Sequence, residues 1–329
     1  MEKKRLAVIG AGYISRNYHC PALVKLKEKR PWLELAAVCD TVAERARGAA
    51  ADFGFAAHYT DIDSLLAGEK IDAASILIDP GHIKDVATSF IRRGIPCLIE
   101  KPPGKNSSEV RELTETARTC KVGCLVALNR RFMPLVRRAG EIAESFEHAP
   151  QLIEAQIVRH RRTDADFAYS TAVHAVDTMR FLMGEVAELK VEKLLMEGNR
   201  GQSYLVEFTF RSGAFGRLTI WPEAGVDLER YTIHGHDFSL FIEAPLEWTI
   251  DYPGRITFFS GRERQFIQDN RTLSTPMLDP LEVTGFLGEN AHFLECLEKG
   301  LEPDPSLADC IQSVEISEAI LTGQSRSFD

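Results

Sequence analysis

Three short segments of this 329-residue chain carry side chains that can bind a cofactor or transfer a proton. A glycine-rich stretch spans Gly10–Ser15, a lysine follows an acidic residue in Glu100–Pro102, and a histidine lies within Ser170–Asp177. Lysine and histidine are common acid–base groups in hydroxyl and carbonyl chemistry. The pattern of apolar residues predicts the elements that position them.

The glycine-rich stretch directly follows an apolar run and is a GxGxxG-type fingerprint with Ser15 at the third glycine. Gly10 permits a tight turn, and Gly12 lets the backbone approach a pyrophosphate at the positive N-terminus of the following helix. The predicted cofactor-binding residues of this stretch are Gly10, Gly12, Tyr13 and Ile14. A plain glycine-rich turn is the alternative interpretation.

Asp40 follows the second predicted strand, where a carboxylate accepts hydrogen bonds from the adenosine ribose hydroxyls. A carboxylate there repels a 2'-phosphate, which favours NAD over NADP. Thr41 and Arg45 are close enough in sequence to accept a phosphate, so NADP remains an alternative cofactor. The alternative role for Asp40 itself is a helix N-cap.

Up to about residue 127, apolar runs alternate with helix-period segments. The predicted buried strands are Leu6–Ile9, Leu33–Cys39, Ala73–Ile78, Cys97–Ile99 and Gly123–Ala127. This alternation predicts a Rossmann domain over residues 1–127, with a doubly wound parallel sheet whose ligand crevice lies at the carboxyl ends of the strands.

After about residue 150, longer alternating runs such as Tyr204–Phe210 predict antiparallel strands. Turn residues near 211–213, 234–237 and 252–254 predict hairpins between about 204 and 260. We therefore predict an α+β domain over residues 128–329, built on a large, mostly antiparallel sheet. One face of such a sheet needs covering, so a homodimer or homotetramer is expected.

Composition narrows the partners and the compartment. The net charge of -9 disfavours nucleic acid. No apolar stretch approaches the roughly 18 residues of a membrane helix. The N-terminus lacks a signal-peptide pattern and the seven cysteines lack paired spacing, so a soluble, cytoplasmic protein with free thiols is expected. No zinc-ligand spacing is present, and we predict no metal site.

Together with the fingerprint, Glu100-Lys101-Pro102 resembles the glucose-fructose oxidoreductase / inositol dehydrogenase / MocA family. The resemblance covers nearly the whole chain and includes Asn129–Phe132, Gly235, Asn290, Phe293, Pro303 and Asp309. It implies that Lys101 is catalytic. It also implies cofactor contacts at Asp79, Glu100, Lys101 and Asn129.

His174 and Asp177 are placed to share a helix face at i, i+3. The inositol dehydrogenase branch has the pattern Asp-x-x-x-His-x-x-Asp, whose first Asp and His join the lysine in the active site. Here Ser170 occupies the first position, and a hydroxyl cannot supply the negative charge that stabilises an imidazolium. The alternative role for Ser170 is the N-cap of a helix beginning at Thr171.

The resulting hypothesis is an NAD(P)-dependent oxidoreductase that transfers a hydride between nicotinamide and a carbinol or carbonyl carbon of a sugar, sugar acid or polyol. The predicted catalytic residues are Lys101, His174 and Ser170, and the predicted substrate-binding residues are Lys101, Arg161, Asp177 and His174. Arg161 belongs to the basic run 159–162, which suits a carboxylate or phosphate but is also typical of a solvated strand end. Two alternative functions are a cofactor-binding regulator without turnover, suggested by Ser170, and a reductase of C=N or tetrapyrrole-type double bonds.

Overall fold

The computed structural model describes residues 2–328, except 197, 199, 247–248 and 274–277. The chain forms two compact units, each made of two segments. The first unit comprises Met1–Leu128 and Phe286–Ile311, and the second comprises Asn129–Gly285 and Gln312–Asp329. The division into domains 1–127 and 128–329 stays a prediction. The return of residues 286–311 to the first unit is an additional feature of the tertiary structure.

The bounds of the elements follow in chain order. The strands are β1 (Lys4–Ile9), β2 (Leu33–Cys39), β3 (Ala57–Tyr59), β4 (Ala73–Ile76), β5 (Cys97–Glu100), β6 (Cys124–Ala127), β7 (Leu152–Val158), β8 (Val186–Leu194), β9 (Ser203–Phe210), β10 (Phe215–Trp221), β11 (Leu228–Gly235), β12 (Phe238–Glu243), β13 (Arg255–Ser260), β14 (Glu263–Asp269) and β15 (Arg326–Ser327). The α-helices are α1 (Cys20–Lys29), α2 (Ala43–Phe53), α3 (Ile62–Gly68), α4 (Pro80–Ile91), α5 (Ser107–Cys120), α6 (Pro134–Glu144), α7 (Phe167–Ser170), α8 (Val173–Met183), α9 (Asn270–Leu273), α10 (Pro280–Val283), α11 (Phe286–Lys299) and α12 (Leu307–Thr322). A π-helical turn spans Ser15–His19 and a 3₁₀ turn spans Asn129–Phe132.

The first unit contains a parallel sheet in the order β3-β2-β1-β4-β5-β6. This order confirms the predicted doubly wound sheet. Strands β4, β5 and β6 are buried along their whole length, as expected for strands covered on both faces. Strand β3 was not predicted, because its three residues, Ala-His-Tyr, form no apolar run.

The register of this sheet aligns the predicted cofactor residues. Ile9, the last residue of β1, is paired with Cys39 of β2 and with Ile76 of β4. Gly10 and Asp40 therefore follow their strands at the same edge of the sheet. Strand β5 runs parallel to β4, so its last residue reaches that edge too.

The second unit contains a sheet in the order β14-β13-β12-β11-β7-β10-β9-β8-β15. Its strand pairs are antiparallel except β7–β10, which confirms the predicted mostly antiparallel sheet. In β9 the side chains of Tyr204, Val206, Phe208 and Phe210 are buried, whereas Glu207 and Thr209 on the opposite face are partly exposed. Helices α6 and α8 pack on this sheet.

Two chain-wide features concern the cysteines and the membrane. Cys120 is partly exposed, and the other cysteines of the described chain are buried free thiols. Across the described residues, no helix combines the length and the apolar character needed to cross a membrane.

Candidate active site

The turn after β1 can be made only with glycine at its first position. Gly10 has φ +96°, and a Cβ there would lie 2.3 Å from the carbonyl oxygen of Leu77. By contrast, a Cβ on Gly12 would meet no atom within 4 Å. The backbone at Gly12 therefore borders open space, which is what the approach of a pyrophosphate requires. Tyr13 and Ile14 begin the following helix with exposed side chains.

Asp40 joins this turn to the end of β2. One carboxylate oxygen accepts a hydrogen bond from the Ala11 N–H at 2.8 Å, and the other accepts from the Val42 N–H at 2.8 Å. The alternative role of Asp40 as an N-cap is wrong, because α2 begins at Ala43 and its N-cap position is Val42. The side chain remains partly exposed and each carboxylate oxygen has two lone pairs. The carboxylate can therefore still accept hydrogen bonds from ribose hydroxyl groups.

Asp79 lies at the carboxyl edge after β4 and caps helix α4. Its Oδ1 accepts a hydrogen bond from the Gly81 N–H at 2.7 Å. The side chain is exposed. This capping role is compatible with a cofactor contact, which stays a prediction.

Glu100 and Lys101 lie where β5 ends. Glu100 is buried, and its Oε2 accepts a hydrogen bond from the backbone N–H of Lys101 at 2.8 Å. Its Oε1 lies 3.4 Å from Nε2 of His19, a fully buried residue of the π-helical turn. Lys101 itself is partly exposed. The buried carboxylate thus holds the backbone from which the lysine side chain extends.

The pKa of Glu100 reflects two opposing effects. Burial raises it, because a low-dielectric environment disfavours the charged form. The hydrogen bond and electrostatic attraction of His19, with contributions from the charge and backbone N–H of Lys101, lower it by more. The net pKa lies below the usual value, so Glu100 is ionised at neutral pH.

In the second unit, Asn129 and Arg130 begin the 3₁₀ turn and are buried. The Asn129 amide donates to the carbonyl oxygen of Thr284 at 2.8 Å and its Oδ1 accepts from Arg130 at 2.9 Å. Arg130 and Arg159 both bind the carboxylate of Glu229, with closest N–O distances of 3.2 and 2.8 Å. Asn129 is thus part of an internal network, and its contact with the cofactor stays a prediction.

Glu229 is a buried carboxylate between two guanidinium groups. Burial raises its pKa, but the charges and hydrogen bonds of Arg130 and Arg159 outweigh burial and lower the pKa to about 2. The hydroxyl of Tyr231 donates a further hydrogen bond to this carboxylate at 2.8 Å. Sequence reasoning missed this cluster, because its members lie far apart in the chain and match no local motif.

Asp177 is fully buried and accepts two hydrogen bonds from Arg131, at 2.7 and 2.8 Å. Ser313 donates a third, at 3.0 Å. This geometry identifies Asp177 as one partner of a buried ion pair that ties α8 to the 3₁₀ turn. Its predicted role in binding substrate stays untested.

Ser170 and His174 lie on consecutive helices. Ser170 is the last residue of α7, and α8 begins at Val173 with Ala172 at its N-cap position. The alternative role of Ser170 as the N-cap of a helix beginning at Thr171 is therefore wrong, because one helix ends at Ser170 and the next begins only at Val173. His174 is buried in the first turn of α8, and its carbonyl oxygen accepts from Thr178 at 2.8 Å.

The basic run 159–162 divides into buried and exposed members. Arg159 lies in the cluster around Glu229. Arg161 is exposed and has φ +52°. Arg162 binds Asp164 at 2.6 Å and donates to Thr171 Oγ1 at 3.1 Å, beside α7. The predicted contact between Arg161 and substrate is not tested by these distances.

No group of three or more His, Cys, Asp or Glu side chains in the described part of the chain is arranged to hold a metal ion.

Curated relatives match along most of the sequence. The D-apiose dehydrogenase of Paraburkholderia graminis is 22% identical, over 95% of this chain and 85% of that protein. The scyllo-inositol 2-dehydrogenase (NAD(+)) of Bacillus subtilis is 24% identical, over 95% of this chain and 91% of that protein.

Among solved structures, levoglucosan dehydrogenase in complex with NADH and levoglucosan superimposes with a TM-score of 0.85, covering 99% of both chains at 17% identity. At this identity the likeness shows the fold. It agrees with the two sheets described above.

Two family descriptions account for most of the chain. Residues 4–128 match "Oxidoreductase family, NAD-binding Rossmann fold" and residues 158–327 match "Oxidoreductase family, C-terminal alpha/beta domain". Together these two matches show that the chain belongs to the glucose-fructose oxidoreductase / inositol dehydrogenase / MocA family of NAD-binding oxidoreductases.

Proposed function

We propose that this oxidoreductase interconverts a carbinol and a carbonyl group on a sugar, sugar acid or polyol. The observation that carries the proposal is Lys101, a lysine extending from the carboxyl end of β5 on a backbone held by Glu100. The relatives named for apiose and scyllo-inositol support the substrate class. We place the protein in the cytoplasm.

The described residues fit NAD. Open space borders Gly12, so the turn can admit a pyrophosphate, and Asp40 keeps acceptor capacity for ribose hydroxyls. Bound NAD supplies a hydride acceptor, or in its reduced form a hydride donor, at the nicotinamide ring. The side chains of this chain then handle the substrate and its proton.

Oxidation of a carbinol releases the hydroxyl proton. We assign the proton to His174, with Lys101 donating a hydrogen bond to the reacting oxygen or taking the proton itself. Ser170 can contribute one neutral hydrogen bond. Because it carries no charge, it cannot stabilise an imidazolium as an aspartate would.

A turnover panel tests this assignment. NADH oxidation is measured with ketoses and keto-sugar acids, and NAD reduction with polyols and aldoses. Lys101→Met should lower turnover by about a hundredfold or more at unchanged melting temperature, and His174→Ala should lower turnover on the same scale. Ser170→Ala is the matched control and should lower turnover by less than about tenfold, the scale of one neutral hydrogen bond.

Each contrary outcome points to a different function. Near-normal turnover in Lys101→Met would remove that lysine from the mechanism. Turnover confined to imines or tetrapyrroles would favour the double-bond reductase. Cofactor binding without turnover of any substrate class would favour the regulator.

We also propose that the protein self-associates through the outer face of the second unit's sheet. His234, Phe241 and Phe259 form a row of edge-to-face aromatic contacts on adjacent strands. Phe241 is 42% exposed and Ile267 is 47% exposed. Apolar side chains of this size on a sheet face favour burial against a second copy.

A further inference from the structure

The first unit contains a buried polar cluster around His19, made of side chains from three elements. His19 comes from the π-helical turn, Glu100 from the end of β5, and Glu289 and Asn290 from α11. His19, Glu289 and Asn290 are fully buried, and Glu100 nearly so. Within this cluster, Nε2 of His19 lies 3.4 Å from Oε1 of Glu100 and 3.7 Å from Oε1 of Glu289.

The tautomer of His19 follows from Asn290. The amide nitrogen of Asn290 donates to the carbonyl oxygen of Phe286 at 2.9 Å, which identifies it as nitrogen because an amide oxygen there would face another oxygen. The same nitrogen lies 3.1 Å from Nδ1 of His19. Nδ1 must therefore be the acceptor, and the ring proton lies on Nε2.

The Nε2–H of His19 consequently points toward the carboxylates. The contact with Glu100 at 3.4 Å is a long hydrogen bond, whereas the contact with Glu289 at 3.7 Å is electrostatic only. Glu100 uses its other oxygen to accept from the Lys101 N–H at 2.8 Å. A continuous chain of contacts therefore runs from Phe286 through Asn290, His19 and Glu100 to the backbone of Lys101.

We propose that His19 is a positioning residue for Lys101, acting through Glu100, and that Asn290 maintains it in the donating tautomer. The role in the reaction rests on the proposed function of Lys101. The contact between His19 and Glu100 can be tested without turnover.

The effect of His19 on Glu100 is electrostatic. His19 and Lys101 are the groups whose charge and hydrogen bonds act on Glu100, and Glu289 lies near the same His19 nitrogen. Loss of the Nε2–H leaves only the charge and backbone N–H of Lys101 to oppose the effect of burial, so the pKa of Glu100 should rise. A protonated Glu100 accepts more weakly from the Lys101 N–H, so the lysine backbone loses its constraint at mildly acidic pH.

Two substitutions of similar size separate the effect of losing the Nε2–H donor from the effect of losing the imidazole ring. The amide nitrogen of His19→Gln reaches the position of Nε2 and retains a donor to Glu100, whereas His19→Asn reaches only the position of Nδ1. His292→Gln is the matched control, because His292 accepts from the Asp304 N–H on another part of the same unit. The double variant His19→Asn/Glu100→Gln removes the group that titrates.

The first measurement is melting temperature against pH. In the unmodified protein the pKa of Glu100 is lowered, so its ionised form stabilises the fold above the usual carboxyl range. In His19→Asn the pKa of Glu100 should be higher and this stabilisation smaller, so the melting-temperature deficit should grow as the pH rises from the acidic range toward neutral. The melting-temperature deficit should not change with pH in His19→Gln, His292→Gln or the double variant. If His19→Asn does not fold, Asn290→Ala should show the same growing deficit, because the tautomer is then no longer maintained.

The second measurement is the pH–rate profile. As the pH falls into the acidic range, turnover of His19→Asn should fall more than that of His19→Gln, by up to about tenfold for each pH unit below the pKa of Glu100. A deficit and a rate profile that are identical in His19→Asn and His19→Gln would overturn the proposal. A growing deficit without turnover in any variant would keep the contact to Glu100 and reject the proposed function instead.

Discussion

Asp40 and Glu100 are both carboxylates at the carboxyl edge of the first sheet, but their surroundings differ. Asp40 is partly exposed and accepts hydrogen bonds from two backbone N–H groups. Glu100 is buried and accepts hydrogen bonds from a backbone N–H and from His19. The exposed carboxylate retains lone pairs for a ligand, while the buried one acts on the protein's own backbone. At the residue scale, this difference in exposure supports the binding role proposed for Asp40 and the positioning role proposed for the cluster around Glu100.

Asp40 should determine the cofactor preference. We expect the unmodified protein to bind NADH more tightly than NADPH, because the carboxylate repels a 2'-phosphate. In Asp40→Ala the ratio of the two dissociation constants should fall by about tenfold or more, the scale of a charged hydrogen bond. Fluorescence titration with both cofactors measures the ratio.

Arg45→Ala is the control for the competing cation. Arg45 is exposed at the start of α2, so its removal should leave the NADH affinity unchanged. The contrary outcome is that the unmodified protein binds NADPH as tightly as NADH or more tightly, and that Arg45→Ala abolishes this preference. That result would show that the arginine outweighs the carboxylate in cofactor choice.

At the scale of elements, buried ion pairs hold together parts of the second unit that contain candidate site residues. Arg131 and Asp177 tie the 3₁₀ turn to α8, the helix that carries His174. Glu229 of β11 binds Arg130 of the same turn and Arg159 at the end of β7. These charges are removed from solvent, so losing one partner leaves the other buried and unpaired.

Glu229→Gln should destabilise the protein by about 3–5 kcal/mol near neutral pH, because two guanidinium groups then lose their carboxylate. The pKa of about 2 means that ionised Glu229 stabilises the fold above the usual carboxyl pKa, and that this contribution is lost as the pH falls toward 2. The destabilisation should therefore shrink as the pH falls below about 4. Urea unfolding near neutral pH and in the acidic range measures the change in the free energy of unfolding.

Glu207→Gln provides the comparison, since Glu207 is partly exposed and pairs with Arg217 at 3.8 Å. Its effect should stay within about 0.5 kcal/mol. A Glu229→Gln variant as stable as Glu207→Gln would show that the buried cluster contributes little to stability.

At the scale of the whole molecule, the second unit's sheet leaves apolar side chains exposed on its outer face. If this face is the contact between copies, Phe241→Asp should place a charge in the contact and weaken association by about thirtyfold or more, the scale of an interface hot spot. Light scattering after size exclusion measures the mass. The expected result is a dimer or tetramer that dissociates in the variant.

Leu195→Asp is the matched control, because Leu195 is 87% exposed after β8 and lies away from the aromatic row. It should leave the mass unchanged. A monomer in the unmodified protein at tens of micromolar, or an unchanged mass in Phe241→Asp, would contradict an interface on this face.

The sequence by itself determined the two architectures and the edge at which Gly10 and Asp40 come together. It did so because buried parallel strands show as apolar runs, and the carboxyl ends of parallel strands meet at one edge. The alternation in β9 likewise revealed which face is buried. These features depend on neighbours within a few residues.

Only the tertiary structure decided which polar groups become partners. His19 and Asn290 are 271 residues apart in sequence, and Arg130 and Glu229 are 99 apart, so no local pattern reports their contact. The break between α7 and α8 also depended on packing, since Ser170 and His174 have helical spacing in the sequence. Burial and charge pairing act across the fold, and they determine whether an ionisable side chain faces a ligand or another part of the protein.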